Sequence, residues 1–475
     1  MDYVEAYERI IALKQPQILD FWQQLRPLSQ NKLLKQIGAL NVKGFRQQQS
    51  QLLEKPTSTN HIEPFRDFSV SGNQEDFNHG KKVIAEGRAA CLILAGGQGT
   101  RLQADGPKGL FPATPIKRKP IFQVFGEKIA AASKQAGRPL HFAFLTSPFN
   151  VTQTKKFFHD HRYFGMDPAY VSFVVQKTLP LLDPLGNLFL EDQDLIAEGP
   201  DGNGHALKYL VESGVWEKWQ KAGVTCVNTI LIDNLLADPF DAELIGFHDR
   251  EDLEITMKCT DKKYPRERVG HVVRSEGTIT VLEYSEFPDV LRSLTEPDGT
   301  YTHRCANLSL FCFSMDFINR IHSVVLPLHR SFKVAKCLDS KGISRMPERA
   351  NCWKYETYIF DLVPMAQKVK ALLYPREQCF APLKNAGGDD SIVQVREALL
   401  LEARRIAEKI TGLPAPYYPF ELSADFFYPT EALLQRWKGK PFPDISYIED
   451  KEYTEKDLGN HDDYRRIEDR IRMRP

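Results

Sequence analysis

The chain has 475 residues, too many for one hydrophobic core and enough for two or three domains. Lys and Arg together number 62 and so do Asp and Glu, so no global field draws the protein to nucleic acid or an anionic membrane, and any anion site must be local. The eight cysteines, at 91, 226, 259, 305, 312, 337, 352 and 379, form no C-x-x-C pair, which argues for packed, reduced thiols and against a disulfide frame or zinc site.

Residues 1 to about 85 read as a helical domain without strands. Ile18, Phe21, Trp22 and Leu25 recur at helical spacing, as do Leu33, Leu34, Ile37 and Leu40. The stretch EKPTSTNHIEP is polar and flanked by proline, as boundary loops are. The opening MDYVEAYERI lacks a signal-peptide pattern and no apolar run approaches a membrane span. The expectation is therefore a soluble, cytoplasmic protein.

From about residue 86 to 365 the period changes. AACLILA, LHFAFLT, VSFVVQ and VNTILID read as buried strands, with amphipathic segments between most of them. That alternation predicts an α/β fold on a mixed, mostly parallel, Rossmann-like sheet. VGHVVR and TITVLEYSE, joined at Ser275–Glu276–Gly277, predict an antiparallel hairpin added to it. Residues 366–475 read as a third, smaller domain, with a helix in SIVQVREALLLEARRIAEKI and a highly charged tail.

The stretch LILAGGQGTRLQADGPKGLFP, Leu92 to Pro112, carries the chemistry. Lys108 lies between Pro107 and Gly109, so the G-x-x-x-x-G-K-[ST] pattern of a P-loop is absent. Gly97-x-Gly99 is followed by Thr100, Arg101 and Leu102, so the third glycine of a dinucleotide fingerprint is missing. A plain tight turn would explain the glycines through their backbone freedom. It would leave Arg101 and Lys108 unexplained, and a strand leading into a glycine loop followed by cations is an arrangement that holds phosphates.

LAGGQGTRL…PKG resembles the signature loop of nucleotide-sugar pyrophosphorylases, in particular the eukaryotic-type UDP-N-acetylhexosamine pyrophosphorylases. HRYFGMDPAYVSFVVQKTLP, PDGNG, LIDN, VLEYSE, ANLSLFCFS, YETYIFDLV and FAPLKNA follow in that family's order, over most of residues 15 to 390. The resemblance implies a GT-A-like nucleotidyltransferase core that joins UTP to a sugar 1-phosphate and releases pyrophosphate, with Mg²⁺ as cofactor and N-acetylglucosamine 1-phosphate as the sugar substrate. A UTP–glucose-1-phosphate or broad-specificity UDP-sugar pyrophosphorylase, or a non-catalytic nucleotide-sugar-binding relative, are the alternatives. A monomer or weak homo-oligomer is expected, with neither nucleic acid nor membrane as partner.

Two anions must approach one another in that reaction, so positioning and charge stabilisation should carry it, without a covalent nucleophile. Backbone N–H groups around Ala95, Gly96, Gly97, Gly99 and Thr100 can close on UTP because the glycines put no side chain in the way. Arg101 offers a planar fork for the leaving pyrophosphate and Lys108 a point charge for the α-phosphate. Asp233 ends VNTILID at the carboxyl end of a strand, where a carboxylate suits Mg²⁺; the competing role is a helix N-cap.

The remaining roles are implied by the resemblance. Lys384 is the second phosphate-contacting lysine. Gln176 reads the uracil edge, which suits an amide with both donor and acceptor, and Gly202 lines the base or ribose. Asn203, Glu283 and Asn307 hold the sugar, and Tyr358 and Phe360 shape the wall near its C2 substituent. Taken singly, each is more often structural. Lys177, His205 and Arg304-Cys305-Ala306 depart from the family pattern and bear on the base and sugar pockets. His159 and His161 stand two apart on a helix end and do not share a face for a metal.

Overall fold

The structure, a computed structural model, describes residues 1–53, 61–97, 99, 102, 106–339 and 341–453. Two compact units are present, and they do not follow the sequential division expected above. One gathers Met1–Asn60, Gln176–His205 and Val325–Asp361, and the other His61–Val175, Ala206–Val324 and Leu362–Pro475.

In the first unit, α1 (Tyr3–Ala12) begins with a capping box: Asp2 Oδ1 accepts from the Glu5 N–H and Glu5 Oε2 from the Asp2 N–H, each at 2.9 Å. α2 (Pro27–Ala39) and α3 (Val42–Leu53) follow. Their apolar stripes are not sealed among themselves. Ile10, Ile18, Leu33, Ile37 and Phe45 share one core with Leu182, Leu188, Leu190, Ile196 and Tyr355. An amphipathic helix must bury its stripe somewhere, and here distant short ladders supply the other half. Thr178–Pro180 pairs with Glu198–Pro200, and His329–Lys333 with Cys352–Glu356.

The second unit is built on an eleven-stranded sheet. Its strands are β1 (Ile62–Pro64), β2 (Phe68–Val70), β3 (Ala89–Leu94), β4 (Phe142–Thr146), β5 (Val171–Val175) and β6 (Cys226–Leu231). β7 (Ile255–Asp261), β8 (Gly270–Ser275), β9 (Thr278–Leu282), β10 (Cys305–Ser314) and β11 (Val369–Leu373) complete it. The order is β2-β11-β7-β10-β6-β3-β4-β5, with β8 on β10 and both β1 and β9 on β8. β6, β3, β4 and β5 run parallel, and β10 is antiparallel to β6 and β7. β1 and β2 correct the expectation that residues 1 to 85 lack strands: at three residues each, they are too short to set a period.

The β8–β9 hairpin closes with Ser275 opposite Thr278. Glu276 (φ 48°) and Gly277 (φ 79°) form its two-residue turn, and positive φ at both positions suits the right-handed twist of the strands. α4 (Gln74–Ala85) crosses a later helix at two glycines; that helix, Ala242–Arg250, is α7 after α5 (Ile121–Ala136) and α6 (Val151–Asp160). A Cβ on Gly80 would stand 1.7 Å from the Ala242 carbonyl oxygen, and one on Gly246 1.8 Å from that of Asp76. α8 (Ile392–Thr411) ends at Gly412 (φ 71°), and the chain after it forms a small core around Tyr418, Phe420, Trp437 and Ile448.

No helix among the described residues is long and apolar enough to cross a membrane. The eight cysteines are unbridged, and seven are buried. Burial pushes the Cys305 thiol up to about 12 and those of Cys352 and Cys379 to about 11, so they behave as packing groups.

Candidate active site

β3 is buried along its whole length and leads straight into the glycine loop. Asn150, which the sequence reading missed, pins the start of that loop. Its Nδ2 donates to the Ala95 carbonyl at 2.9 Å and reaches the Gly97 carbonyl at 3.5 Å, while its Oδ1 accepts from the Ser147 N–H at 2.8 Å. An asparagine just before α6 reads in sequence as a helix cap; it makes no cap bond and serves the loop instead.

Ala95 and Gly96 are buried and Gly97 is exposed. Gly97 has no positive φ, and a Cβ there would meet nothing within 4 Å. The tight-turn explanation therefore fails at Gly97, where the missing side chain leaves an open approach to the backbone. The Gly99 N–H donates to the Gly106 carbonyl at 3.3 Å, closing the loop. Thr100 and Arg101 lie outside the described residues.

Lys108 opens a 3₁₀ turn, Lys108–Leu110. At Gly109 a Cβ would stand 2.3 Å from the Phe122 ring of α5, so the turn is pressed onto that helix. Lys108 Nζ meets Asp233 Oδ2 at 3.2 Å, with side chains 14% and 18% exposed. Asp233 follows β6, whose neighbour β3 carries the loop, Leu231 standing opposite Leu94. The N-cap role for Asp233 is excluded, because the next helix, α7, starts at Ala242 and is capped by Asp241.

Asp233 Oδ1 is buried and accepts no hydrogen bond among the described residues. An orphaned carboxylate oxygen at a strand end fits a hard cation, which needs few protein ligands when a bound anion supplies the rest. No cluster of three or more His, Cys, Asp or Glu suited to a metal occurs among the described residues.

Lys384 is far along the chain, yet its segment is tied to Asp233: the Leu383 N–H donates to the Asp233 carbonyl at 2.8 Å. Lys384 Nζ stands 4.0 Å from Asp390 Oδ2, and burial raises the Asp390 carboxyl above its usual range. Lys384 lines a polar cavity of about 950 Å³ with Arg376, Arg266 and Arg268.

Asn307 sits beside a β-bulge in β10, where the register against β7 shifts and Ser309 takes φ 54°. Its Oδ1 accepts from the Ser309 N–H at 3.1 Å, and it stands opposite Gly270. Glu283 follows β9 and caps a turn, its carbonyl accepting from the Phe287 N–H at 3.0 Å.

In the other unit, the PDGNG loop is welded to Thr357. Gly202 (φ 89°) could not carry a Cβ, which would lie 2.2 Å from the Thr357 carbonyl oxygen, and the Gly204 N–H donates to that same oxygen at 3.0 Å. Gly202 thus has a steric reason for its identity that needs no base or ribose. Asn203 Oδ1 accepts from the Ile359 N–H at 3.0 Å. Of the departures from the family pattern, His205 faces Asp201 Oδ2 at 3.4 Å, while the Lys177 carbonyl accepts from the Asp201 N–H at 3.1 Å. Gln176 is 4% exposed. The Tyr358 and Phe360 rings lie 5.0 Å apart, held by Asp361, whose Oδ2 accepts from the Tyr358 N–H at 3.0 Å. The same carboxylate is 3.1 Å from His329 Nε2, and the His329 ring lies 4.6 Å from Tyr358.

A profile of the UTP–glucose-1-phosphate uridylyltransferase family matches residues 42–405. The chain belongs to this family. The uridylyltransferase family's sequence relatives include UDP-N-acetylhexosamine pyrophosphorylase-like protein 1 of Homo sapiens, 30% identical, with 83% of each chain covered. The UDP-N-acetylglucosamine pyrophosphorylase of Saccharomyces cerevisiae is also 30% identical, covering 79% of this chain and 82% of its own. Among solved structures, the uridine diphosphate N-acetylglucosamine pyrophosphorylase of Trypanosoma brucei, in complex with an inhibitor, matches with a TM-score of 0.75 at 25% identity. That match covers 90% of this chain and 93% of the other. The mixed, mostly parallel sheet is therefore the nucleotidyltransferase fold of these uridylyltransferases.

Proposed function

We propose that the protein makes UDP-N-acetylglucosamine and pyrophosphate from UTP and N-acetylglucosamine 1-phosphate, by in-line attack of the sugar phosphate on the α-phosphorus. The observation that carries this reading is the meeting of Lys108 and Asp233 at 3.2 Å, at the carboxyl ends of adjacent parallel strands, where open α/β sheets bind ligands. Membership of the uridylyltransferase family and the names of the relatives support the reaction and the sugar.

In this reading the glycine loop orients the triphosphate with backbone N–H groups, and Lys108 leaves Asp233 for the α-phosphate oxygens. Arg101 takes the leaving pyrophosphate, and Lys384 serves as the second phosphate-contacting lysine. Asp233 would hold Mg²⁺, which supplies neutralisation of the phosphate charge. Gln176 and Gly202 serve the base and ribose, while Glu283 and Asn307 take sugar hydroxyls. Asn203, with its carbonyl oxygen bound to Ile359, offers its amide nitrogen to the acetamido oxygen beside Tyr358 and Phe360. Unbridged cysteines accord with a cytoplasmic enzyme, working as a monomer or weak homo-oligomer.

The test is pyrophosphate release with UTP, Mg²⁺ and three sugar 1-phosphates. A pocket that hydrogen-bonds the acetamido group should favour N-acetylglucosamine 1-phosphate over glucose 1-phosphate by as much as ~10⁴ in kcat/KM. A preference for glucose 1-phosphate overturns the sugar assignment alone. Equal use of ATP overturns the uridylyl assignment, and no turnover with any sugar leaves a non-catalytic binding protein.

A further inference from the structure

Asp233 and Lys384 come from distant parts of the chain, and one buried side chain joins the segments that carry them. Asn234 is 0% exposed. Its Nδ2 donates to the Cys379 carbonyl at 2.7 Å, and its Oδ1 accepts from the Ala381 N–H at 2.9 Å. On either side, the Leu383 N–H donates to the Asp233 carbonyl at 2.8 Å and the Leu235 N–H to the Ala381 carbonyl at 3.4 Å. Asn234 stands opposite Pro382 in an isolated antiparallel bridge. The two backbone bonds flank Asn234 and Pro382 as a non-hydrogen-bonded pair, so the N–H that proline lacks would face away from the ladder and no rung is lost. The Asn234 amide adds bonds to the residues on the near side of that proline.

Only a short side chain with both donor and acceptor can make the two bonds at once. Aspartate lacks the donor, and serine is too short to span both groups. Two other buried side chains hold the loop after Asp233. Lys128 Nζ donates to the carbonyls of Leu235 and Ala237, each at 3.0 Å. Asn228 Nδ2 donates to those of Asp238 and Pro239, each at 2.9 Å. Of these three side chains, only Asn234 reaches the Lys384 segment.

The geometry points to Asn234 as a positioning residue that sets Lys384 in register with Asp233, touching no substrate itself. This rests on the proposed roles of Asp233 and Lys384 in the uridylyl transfer. A displacement on the order of 1 Å at a reacting centre can cost about a hundredfold in rate, so the effect belongs in kcat.

The test is a double-mutant cycle combined with hydrogen exchange. Asn234→Ala should lower kcat by roughly thirtyfold or more while KM for UTP moves less than about threefold. In a Lys384→Ala background, the same change should cost less than about twofold, because there is no longer a lysine to position. Asn228→Ala, a matched loss of buried bonds at the other end of the loop, should keep its full effect in that background. Exchange at the Ala381 and Leu383 amides should quicken about tenfold in Asn234→Ala while the middle of α8 keeps its protection.

Additive effects of Asn234→Ala and Lys384→Ala overturn the proposal, as does unchanged exchange at 381–383. Full turnover in Lys384→Ala overturns it too, and leaves the uridylyltransferase reading standing. Failure of the wild-type chain to release pyrophosphate strikes that reading instead, and the exchange measurement is independent of it.

Discussion

Lys108 and Asp233 are each under one-fifth exposed and 3.2 Å apart, which invites the view that they are a structural ion pair. Magnitudes give each role its own readout: removing one member of a largely buried structural pair strands the other charge and costs about 3–5 kcal/mol of stability, whereas loss of one group that stabilises transition-state charge costs a hundredfold or more in kcat. Lys108→Ala should lower kcat by roughly a hundredfold or more in protein that is still folded at the assay temperature, with steady-state kinetics and thermal denaturation measured side by side; near-normal turnover in the folded variant would leave Lys108 with the structural role alone. Asp233→Asn separates a counter-ion from a metal ligand. It keeps the shape, and with the capping role belonging to Asp241 no helix start is disturbed. Activity should collapse and the Mg²⁺ concentration for half-maximal rate should rise steeply. A titration with an unchanged midpoint would show that Asp233 merely balances Lys108.

At the scale of elements, α4 and α7 approach so closely that backbone meets backbone at Gly80 and Gly246. The atoms a new methyl would strike are carbonyl oxygens in regular helices, which have no rotamer to escape into. Gly80→Ala should gain a few tenths to about 1 kcal/mol in helix propensity and lose more to overpacking, a net destabilisation of about 2 kcal/mol. Urea unfolding with an unchanged m-value reads this directly; a more stable variant would mean that the helices can slide apart. In sequence, Gly80 and Gly246 carry no turn or cap signal, so this contact was not legible there. Asn307 is a similar case. The resemblance pointed to it, but only the strand register displays the bulge beside it.

At the scale of the whole chain, stability should fall as the solution is acidified, because the unfolded chain takes up protons that the folded one refuses. Burial lowers His248 and His303 to about 4 and His271 to about 3; nearby Lys262 adds to the effect at the last two. With unfolded values near 6.5, each depressed group contributes stability that is fully present above that pH. This contribution is lost as pH falls from 6.5 toward 4, at up to about 1.4 kcal/mol per pH unit for each proton. His248, bonded through Nδ1 to Thr256 Oγ1 at 2.9 Å, is the one to test. His248→Gln should flatten the dependence of unfolding free energy on pH between 6.5 and 4 by about one proton. An unchanged slope would locate the proton uptake elsewhere.

The sequence by itself determined the strand-then-glycine loop, the four parallel strands, the β8–β9 hairpin and the placing of Asp233 at a strand end. Each is a matter of residues close together in the chain, where alternation, turn chemistry and backbone sterics act locally. The family resemblance added expectations for Lys384 and for the residues proposed to hold the sugar. What only the tertiary structure decided is non-local. The N-terminal helices bury their stripes against segments near 182–196 and 355, and residues 61–85 join the sheet unit. Asn150 braces the glycine loop, and Asn234 ties Asp233 to the Lys384 segment. An asparagine in sequence is an amide that could cap, turn or face water. Which donors and acceptors it satisfies depends on backbone groups brought beside it by the packing of the rest of the chain.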